Sequence, residues 1–473
     1  QHTRQVYPIE LWNDRDVNSY GTDEFLQMCE AMGAEPLIVI NTGILNTTCG
    51  VPIPTKLTPE SYLQDALDWM EYCNGGATTT WGVVRAANGH PAPYNVKYWE
   101  IDNETWSAGV SAYISKVKEY APVMRTRFPD VKIIACGSGG YNSSWNNSIL
   151  NECADIIDYI SIHHYEKQSA YITGVSQYES FIEKLGNSIT KSSNPDIKIY
   201  MSEWNLWSGI DWRIGLYAGG MLNVFERNGD VFEIGGPALF LRHQSADKWD
   251  NAFINFSNYT WFPAPNYVVM KLWRDHYAPY FVESTGSHKD LNVATTLSED
   301  GNKLYFKSVN TSSSNIPVIL SIDGSFTPRN VQLKQIAPTS LGARNSFSNP
   351  DKIHVEKANT EIENQRIIFT IPRYSVVVVT VDQNPGVVGI EHDKNSNSVQ
   401  EFFFYPDYPN PFDPETTIKF ALPEACYVNL EVYDILGRPV ATLVDKKIRD
   451  GYHTVDFNAS NLASGVYFYL LKA

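Results

Sequence analysis

Two glutamates stand out for their surroundings. Glu104 follows an apolar run in WEIDNETW, and Glu203 closes another in YMSEWNLW. Two carboxyl groups at two strand ends suit one reaction well: acid-assisted displacement at a sugar's anomeric carbon. One carboxylic acid protonates the leaving oxygen while the other carboxylate attacks and carries the sugar covalently. Enzymes that work this way hold the pair ~5–5.5 Å apart. Spacing alone leaves a blander reading open, in which each Glu is a solvated strand terminus. Asn103 shifts the balance. Its amide directly precedes Glu104 and suits hydrogen bonding to a sugar hydroxyl, a contact that strengthens in the transition state.

These residues need a scaffold that points strand ends at one hollow. Over residues 1–275 apolar runs alternate with amphipathic ones. PLIVIN, KYWEI, VKIIACG, DYISIHH, IKIYMSE and GGPALFLRH read as buried strands, β-branched or aromatic-rich and bounded by turn residues. Between them lie helical patterns. GTDEFLQMCEAMG (Gly21–Gly33) has Asp and Glu in its first turn and Gly at its end. In TPESYLQDALDWMEYCNG, Thr58 stands at the cap, Pro59 at the first helical position and an early Glu follows. Strands alternating with helices imply parallel βα units. In such a sheet, residues at the C-terminal strand ends face the active site. The strands number six, whereas a closed (β/α)8 barrel needs eight, so the run reads either as an open α/β sheet or as a barrel without its first two units.

Beyond residue 276 the pattern changes. KLYFKSVN, NIPVILSID, RIIFTI and YSVVVVTVD follow one another without helical stretches, which predicts a β-sandwich over 276–383. Residues 384–401 are rich in Asn, Ser and Gly and read as a linker. Residues 402–473 read as a third, small all-β module.

Composition narrows the function classes. The 473 residues are 43% hydrophobic and 19% charged, ordinary globular values. A net charge of −16 argues against a nucleic-acid partner, which requires basic patches. No stretch approaches the ~18 consecutive apolar residues of a membrane-spanning helix. The six cysteines are widely spaced and form no CxxC pair, so free thiols are expected rather than a zinc site or disulfide framework. No His/Asp/Cys ligand cluster is visible, so neither metal nor organic cofactor is expected.

The motifs together resemble a known family. An Asn-Glu after the fourth strand and a Glu after the seventh mark a large superfamily of (β/α)8 glycosidases. Within it, YGTDEFLQMCEAMGAEPLIVIN, EYCNGG, RAANGHPAPYNVKYWEIDNETW, DYISIHHY, MSEWNLW and APNYVVMKLW resemble, in order, the α-L-arabinofuranosidases of glycoside hydrolase family 51. LNVATTLSEDGNKLYFKSVN and IPRYSVVVVTV extend the likeness through the sandwich. The resemblance implies Glu104 as general acid/base, Glu203 as nucleophile and Asn103 beside the arabinose 2-hydroxyl. It implies His163 and Tyr165 next to the nucleophile, with Tyr165 orienting Glu203, and Trp207 lining the sugar site. Trp204 reads as packing, Arg85 as ordering a loop, and Cys73 and Asn74 as helix-end residues. Asp102 replaces the family's usual Gly. It would raise the Glu104 pKa if it faced the site, but strand alternation favours the opposite direction.

The family's first two barrel strands have no counterpart, so the expected fold is a (β/α)8 TIM barrel lacking its first two strands, followed by two β-sandwich modules. YPNPF, PETTIKFALPE, VYDILGRPVATLV and NLASGVYFY resemble the C-terminal sorting domain of the bacterial type IX secretion system. That family continues ~10–15 residues further, so this copy is expected to be incomplete. The implied protein is a secreted or cell-surface enzyme that removes terminal arabinofuranosyl groups from arabinoxylan or arabinan. Its implied partners are that polysaccharide and the type IX machinery, with a homo-oligomer possible. Two alternatives stay open: an endoglucanase or xylosidase of the same superfamily, and an inactive fragment acting only as a carbohydrate-binding protein.

Overall fold

The computed structural model describes residues 6–9, 14–45, 47–48, 51–52, 58–286, 288–324, 326–363, 365–383, 403–404, 414–434, 438–462, 465 and 467–472. The chain divides into two compact units, residues 1–385 and 386–473. The expected linker over 384–401 lies outside the described residues.

The first unit is built on a parallel sheet of β1 (Leu37–Ile40), β2 (Tyr98–Ile101), β3 (Lys132–Gly139), β4 (Tyr159–Glu166), β5 (Lys198–Leu206) and β6 (Phe232–Pro237). These six strands are hydrogen-bonded in chain order. The helices are α1 (Thr22–Met32), α2 (Pro59–Asn74), α3 (Thr80–Ala87), α4 (Val110–Arg127), α5 (Ser143–Cys153), α6 (Thr173–Thr190), α7 (Trp212–Arg227) and α8 (Pro265–Arg274). Trp99, Ile101, Ile133, Ala135, Ile160, Ile162, Ile199 and Met201 are buried, as strands covered by helices require. The predicted caps are in place. The Ser61 N–H donates to Thr58 Oγ1, and Glu24 accepts the Gly21 N–H. Gly33 ends α1 at φ 63°, a left-handed conformation that glycine adopts without a Cβ penalty.

One predicted strand is corrected. GGPALFLRH is not continuous. The sixth strand begins earlier, at Phe232, and stops at Pro237. Leu241–His243 is instead β7, parallel to β8 (Ile254–Phe256), which pairs antiparallel with β9 (Trp261–Pro263). These three form a separate small sheet.

The sandwich follows. Strands β10 (Tyr280–Phe281), β11 (Leu291–Leu297), β12 (Lys303–Asn310), β13 (Ile316–Ser321), β14 (Asn330–Ile336), β15 (Glu356–Ala358), β16 (Glu361–Glu363), β17 (Arg366–Ile371) and β18 (Ser375–Asp382) form two sheets, ordered β10-β11-β12-β18-β14-β15 and β13-β17-β16. The larger sheet shares the core of the parallel unit, because Val309, Val376 and Val378 pack into the same apolar cluster as α7 and α8. A wholly buried Lys307 on β12 pairs with Glu226 of α7 at this seam.

The second unit packs two three-stranded sheets around Ile418, Phe420, Leu422, Val428, Leu430, Val432, Val444 and Phe457. Its strands are β19 (Phe403–Phe404), β20 (Glu415–Leu422), β21 (Cys426–Asp434), β22 (Pro439–Ile448), β23 (Gly451–Asn458) and β24 (Tyr467–Lys472). Cys29, Cys73, Cys136, Cys153 and Cys426 are free thiols.

Candidate active site

The site assembles at the C-terminal ends of β2, β4 and β5. Beyond Ile101 the chain turns sharply, with Asp102 at φ 58° and Glu104 at φ 54°. Non-glycine residues in this region carry about 1–3 kcal/mol of strain, held only where surrounding contacts fix it. Here the Glu104 N–H meets Cys136 Sγ at 3.3 Å, and Thr105–Ala108 form a short 3-10 turn. Asp102 is buried rather than outward. Its carboxylate accepts the Thr42 N–H at 2.8 Å and the Thr42 hydroxyl, tying the ends of β1 and β2 together. Burial raises its pKa, and the two Thr42 hydrogen bonds oppose that shift.

Glu203 is aligned by a slip in the β4–β5 ladder. Ile162 pairs with Met201, but His163 pairs with Glu203, which leaves Ser202 as an extra residue. Such irregularities re-aim side chains next to active sites. His163 Nδ1 lies 2.8 Å from Glu104 Oε1 and 3.8 Å from Glu203 Oε2. One oxygen of each carboxylate and this nitrogen all lie within 4.8 Å of one another. The Tyr165 hydroxyl donates to Glu203 Oε2 at 2.8 Å. Burial and the charge of Glu203 push the Tyr165 pKa far up, so the phenol stays a donor.

The expected neighbours are thus together: His163 bonds Glu104 and lies 3.8 Å from Glu203, and Tyr165 bonds Glu203. Burial opposes the charged form of His163, but the hydrogen bond with Glu104 and the charges of Glu203, Glu104 and Glu100 outweigh burial and raise its pKa. Trp106 holds the ring edge-to-face at 5.7 Å and donates its indole N–H to Gly137 O. Gly139 leaves room for this indole, since a Cβ there would sit 2.6 Å from Trp106.

Trp207 is 69% exposed and packs edge-to-face on Tyr165 at 5.6 Å. Asn103 is exposed beside Glu104. Trp204 is fully buried packing. Arg85 is also fully buried and donates to the carbonyls of Tyr72, Gly75, His90 and Pro91, ordering the loop after α3. Asn74 clamps Val96 through both its N–H and its C=O.

The sequence reading missed Glu100. This carboxyl group lies within β2, 1% exposed, and accepts the Ser161 hydroxyl at 2.5 Å. Burial pushes its pKa up to about 7, against the Ser161 hydrogen bond and the charge of His163, with Glu203 and Asp102 adding to the rise. A glutamate in an otherwise apolar strand was the available signal. Among the described residues, the group spaced to hold a metal ion is Glu104, His163 and Glu203.

The arrangement provides a carboxylate steadied by a phenol, a second carboxyl group in contact with an imidazole, and an aromatic rim. Residues 1–182 match the family described as the alpha-L-arabinofuranosidase 1 domain, and residues 202–375 match the alpha-L-arabinofuranosidase C-terminal domain. Residues 407–473 match a secretion system C-terminal sorting domain, which gives a secreted or cell-surface location. A probable alpha-L-arabinofuranosidase C of Aspergillus flavus is 31% identical over 238 residues, covering 44% of this chain and 44% of that protein. Alpha-L-arabinofuranosidase C of Emericella nidulans is 26% identical, covering 63% and 66%. This chain therefore spans less than half the length of the Aspergillus relative it matches. The arabinose complex of the Thermotoga maritima alpha-L-arabinofuranosidase superposes with a TM-score of 0.69 at 25% identity, covering 80% of this chain and 82% of that one. Residues 1–182 and 202–375 thus match the two domain types of the alpha-L-arabinofuranosidases, and residues 407–473 match a secretion-system sorting domain.

Proposed function

We propose that this protein is a retaining glycosidase that removes terminal α-L-arabinofuranosyl groups from plant arabinoxylan or arabinan. The observation that carries the reading is the approach of Glu104 and Glu203 oxygens to within 4.8 Å. This is the short spacing of double displacement, well below the ~6.5–9.5 Å that an inverting pair needs to admit water between acid and base. The six strands are read as part of a (β/α)8 barrel, in keeping with the family's solved structures. The proposed division is 1–275 for this catalytic part, 276–383 for the sandwich, 384–401 for a linker and 402–473 for the sorting module.

Glu203 attacks the anomeric carbon while Glu104 gives its proton to the glycosidic oxygen, and the shortened polymer leaves. Glu104, now ionised, takes a proton from water, which displaces Glu203 and releases arabinose. Tyr165 occupies Glu203 Oε2, leaving Oε1 for attack. His163 donates Nδ1–H to the ionised form of Glu104. Asn103 binds near the sugar 2-hydroxyl, and Trp207 lines the sugar site. A cation held by Glu104, His163 and Glu203 would occupy both carboxylates and compete with substrate. Type IX machinery is the proposed partner of the sorting domain.

The test is Glu203→Ala assayed on an aryl α-L-arabinofuranoside. Turnover should be abolished, and added azide should restore part of it as the β-glycosyl azide. Absence of rescue removes Glu203 from the nucleophile role. Aryl xylosides and soluble cellulose in the same panel should be poor substrates for the parent chain.

A further inference from the structure

We propose that the small sheet β7–β8–β9 is a docking platform for the main chain of the polysaccharide whose side groups the glutamate pair removes. The inference rests on the hydrolase reading for its choice of occupant. The register aligns His243, Phe256 and Trp261 in one row across the three strands, and Leu241, Ile254 and Pro263 in the next. Side chains alternate faces along a strand. Asn255 and Phe262 therefore point to the opposite face, and both are buried. The outward face is apolar where solvent would favour polar groups. Leu241 is 56% exposed, Trp261 55%, and Tyr259, in the turn between β8 and β9, 91%. His243 and Phe256 meet edge-to-face at 5.2 Å, and Asn258 and Ser245 hold the imidazole.

A row over three strands extends ~9–10 Å. That is long enough for consecutive sugar rings, whose C–H faces stack on aromatic surfaces while their hydroxyls stay in water. The committed occupant follows from continuity with the candidate site. Asn205, two residues after Glu203, donates to Ala238 O and Asn251 O. Asn251 returns a hydrogen bond to Leu206 O, and the Gly209 N–H donates to Asp250 Oδ1. These four bonds fasten the segment carrying the platform to the segment carrying Glu203 and Trp207. A polymer whose side group enters between Glu104 and Glu203 has its main chain outside the hollow, on such a rim.

The experiment compares the full chain with Tyr259→Ala/Trp261→Ala. Both replaced side chains are exposed, and circular dichroism with thermal unfolding checks that the fold survives. On arabinoxylan or arabinan, kcat/KM should fall about 5–10-fold more than on an aryl arabinofuranoside, mostly through KM. Equal losses on polymer and aryl substrate overturn the proposal. A second arm needs no turnover: retardation in native gels containing each polysaccharide. The parent chain and Glu203→Ala should be retarded and the double variant released. That result upholds the platform even if no arabinofuranoside is cleaved, in which case only the hydrolase reading fails. No retardation of the parent chain overturns the platform, as does self-association that the double variant abolishes.

Discussion

Glu100→Gln isolates a carboxyl group buried under the site. In the folded chain Glu100 keeps its proton to about pH 7, mainly because burial disfavours the anion. In the unfolded chain it ionises near ~4.3. Between those values the folded state binds the extra proton, so stability falls as pH rises. The shift from an ordinary 4.5 to about 7, at 1.36 kcal/mol per unit, makes the loss about 3 kcal/mol between roughly pH 4 and pH 8. Gln cannot ionise, and its amide oxygen still accepts the Ser161 hydroxyl. Urea unfolding across this range should therefore show Glu100→Gln gaining on the parent chain by about 3 kcal/mol as pH rises. A difference that stays flat from acid to neutral pH refutes the argument that burial holds this proton.

Three further expectations follow from single contacts. Tyr165→Phe removes a hydrogen bond to an ionised carboxylate, worth about 1.5–3 kcal/mol, so kcat/KM should fall roughly 10–150-fold; a change under twofold would remove Tyr165 from the orienting role. Glu104→Ala should harm substrates with poor leaving groups far more than those with activated phenols, and equal loss across a leaving-group series contradicts an acid role. Lys307→Met strands the buried Glu226 carboxylate and should cost about 3–5 kcal/mol in urea unfolding, with the double change to apolar residues costing much less; similar costs for single and double variants would show that the pair is not coupled.

The scaffold was legible where periodicity and caps agreed. Thr58 and Pro59 announce α2, and five of the six apolar runs supply parallel strands. The candidate site was legible because MSEWNLW and WEIDNETW carry unusual polar groups at strand ends. GGPALFLRH failed because an unbroken apolar run does not reveal that the strand ends at Pro237 and a second sheet begins at Leu241. Three-residue strands such as β8 and β9 are too short to show a period. Glu100 escaped notice because burial of a charge depends on tertiary neighbours, here Ser161 on β4, two strands away in the sheet. The direction of Asp102 escaped for a related reason. It lies past the strand end at positive φ, where alternation no longer applies, and Thr42 decides its aim.

The double-displacement claim is tested most directly by the stereochemistry of transfer. Hydrolysis of an aryl α-L-arabinofuranoside in the presence of methanol should give the methyl α-L-arabinofuranoside, identified by proton NMR, because two inversions at one carbon restore its configuration. Exclusive formation of the β anomer, or no methyl glycoside at all, would contradict a covalent intermediate on Glu203.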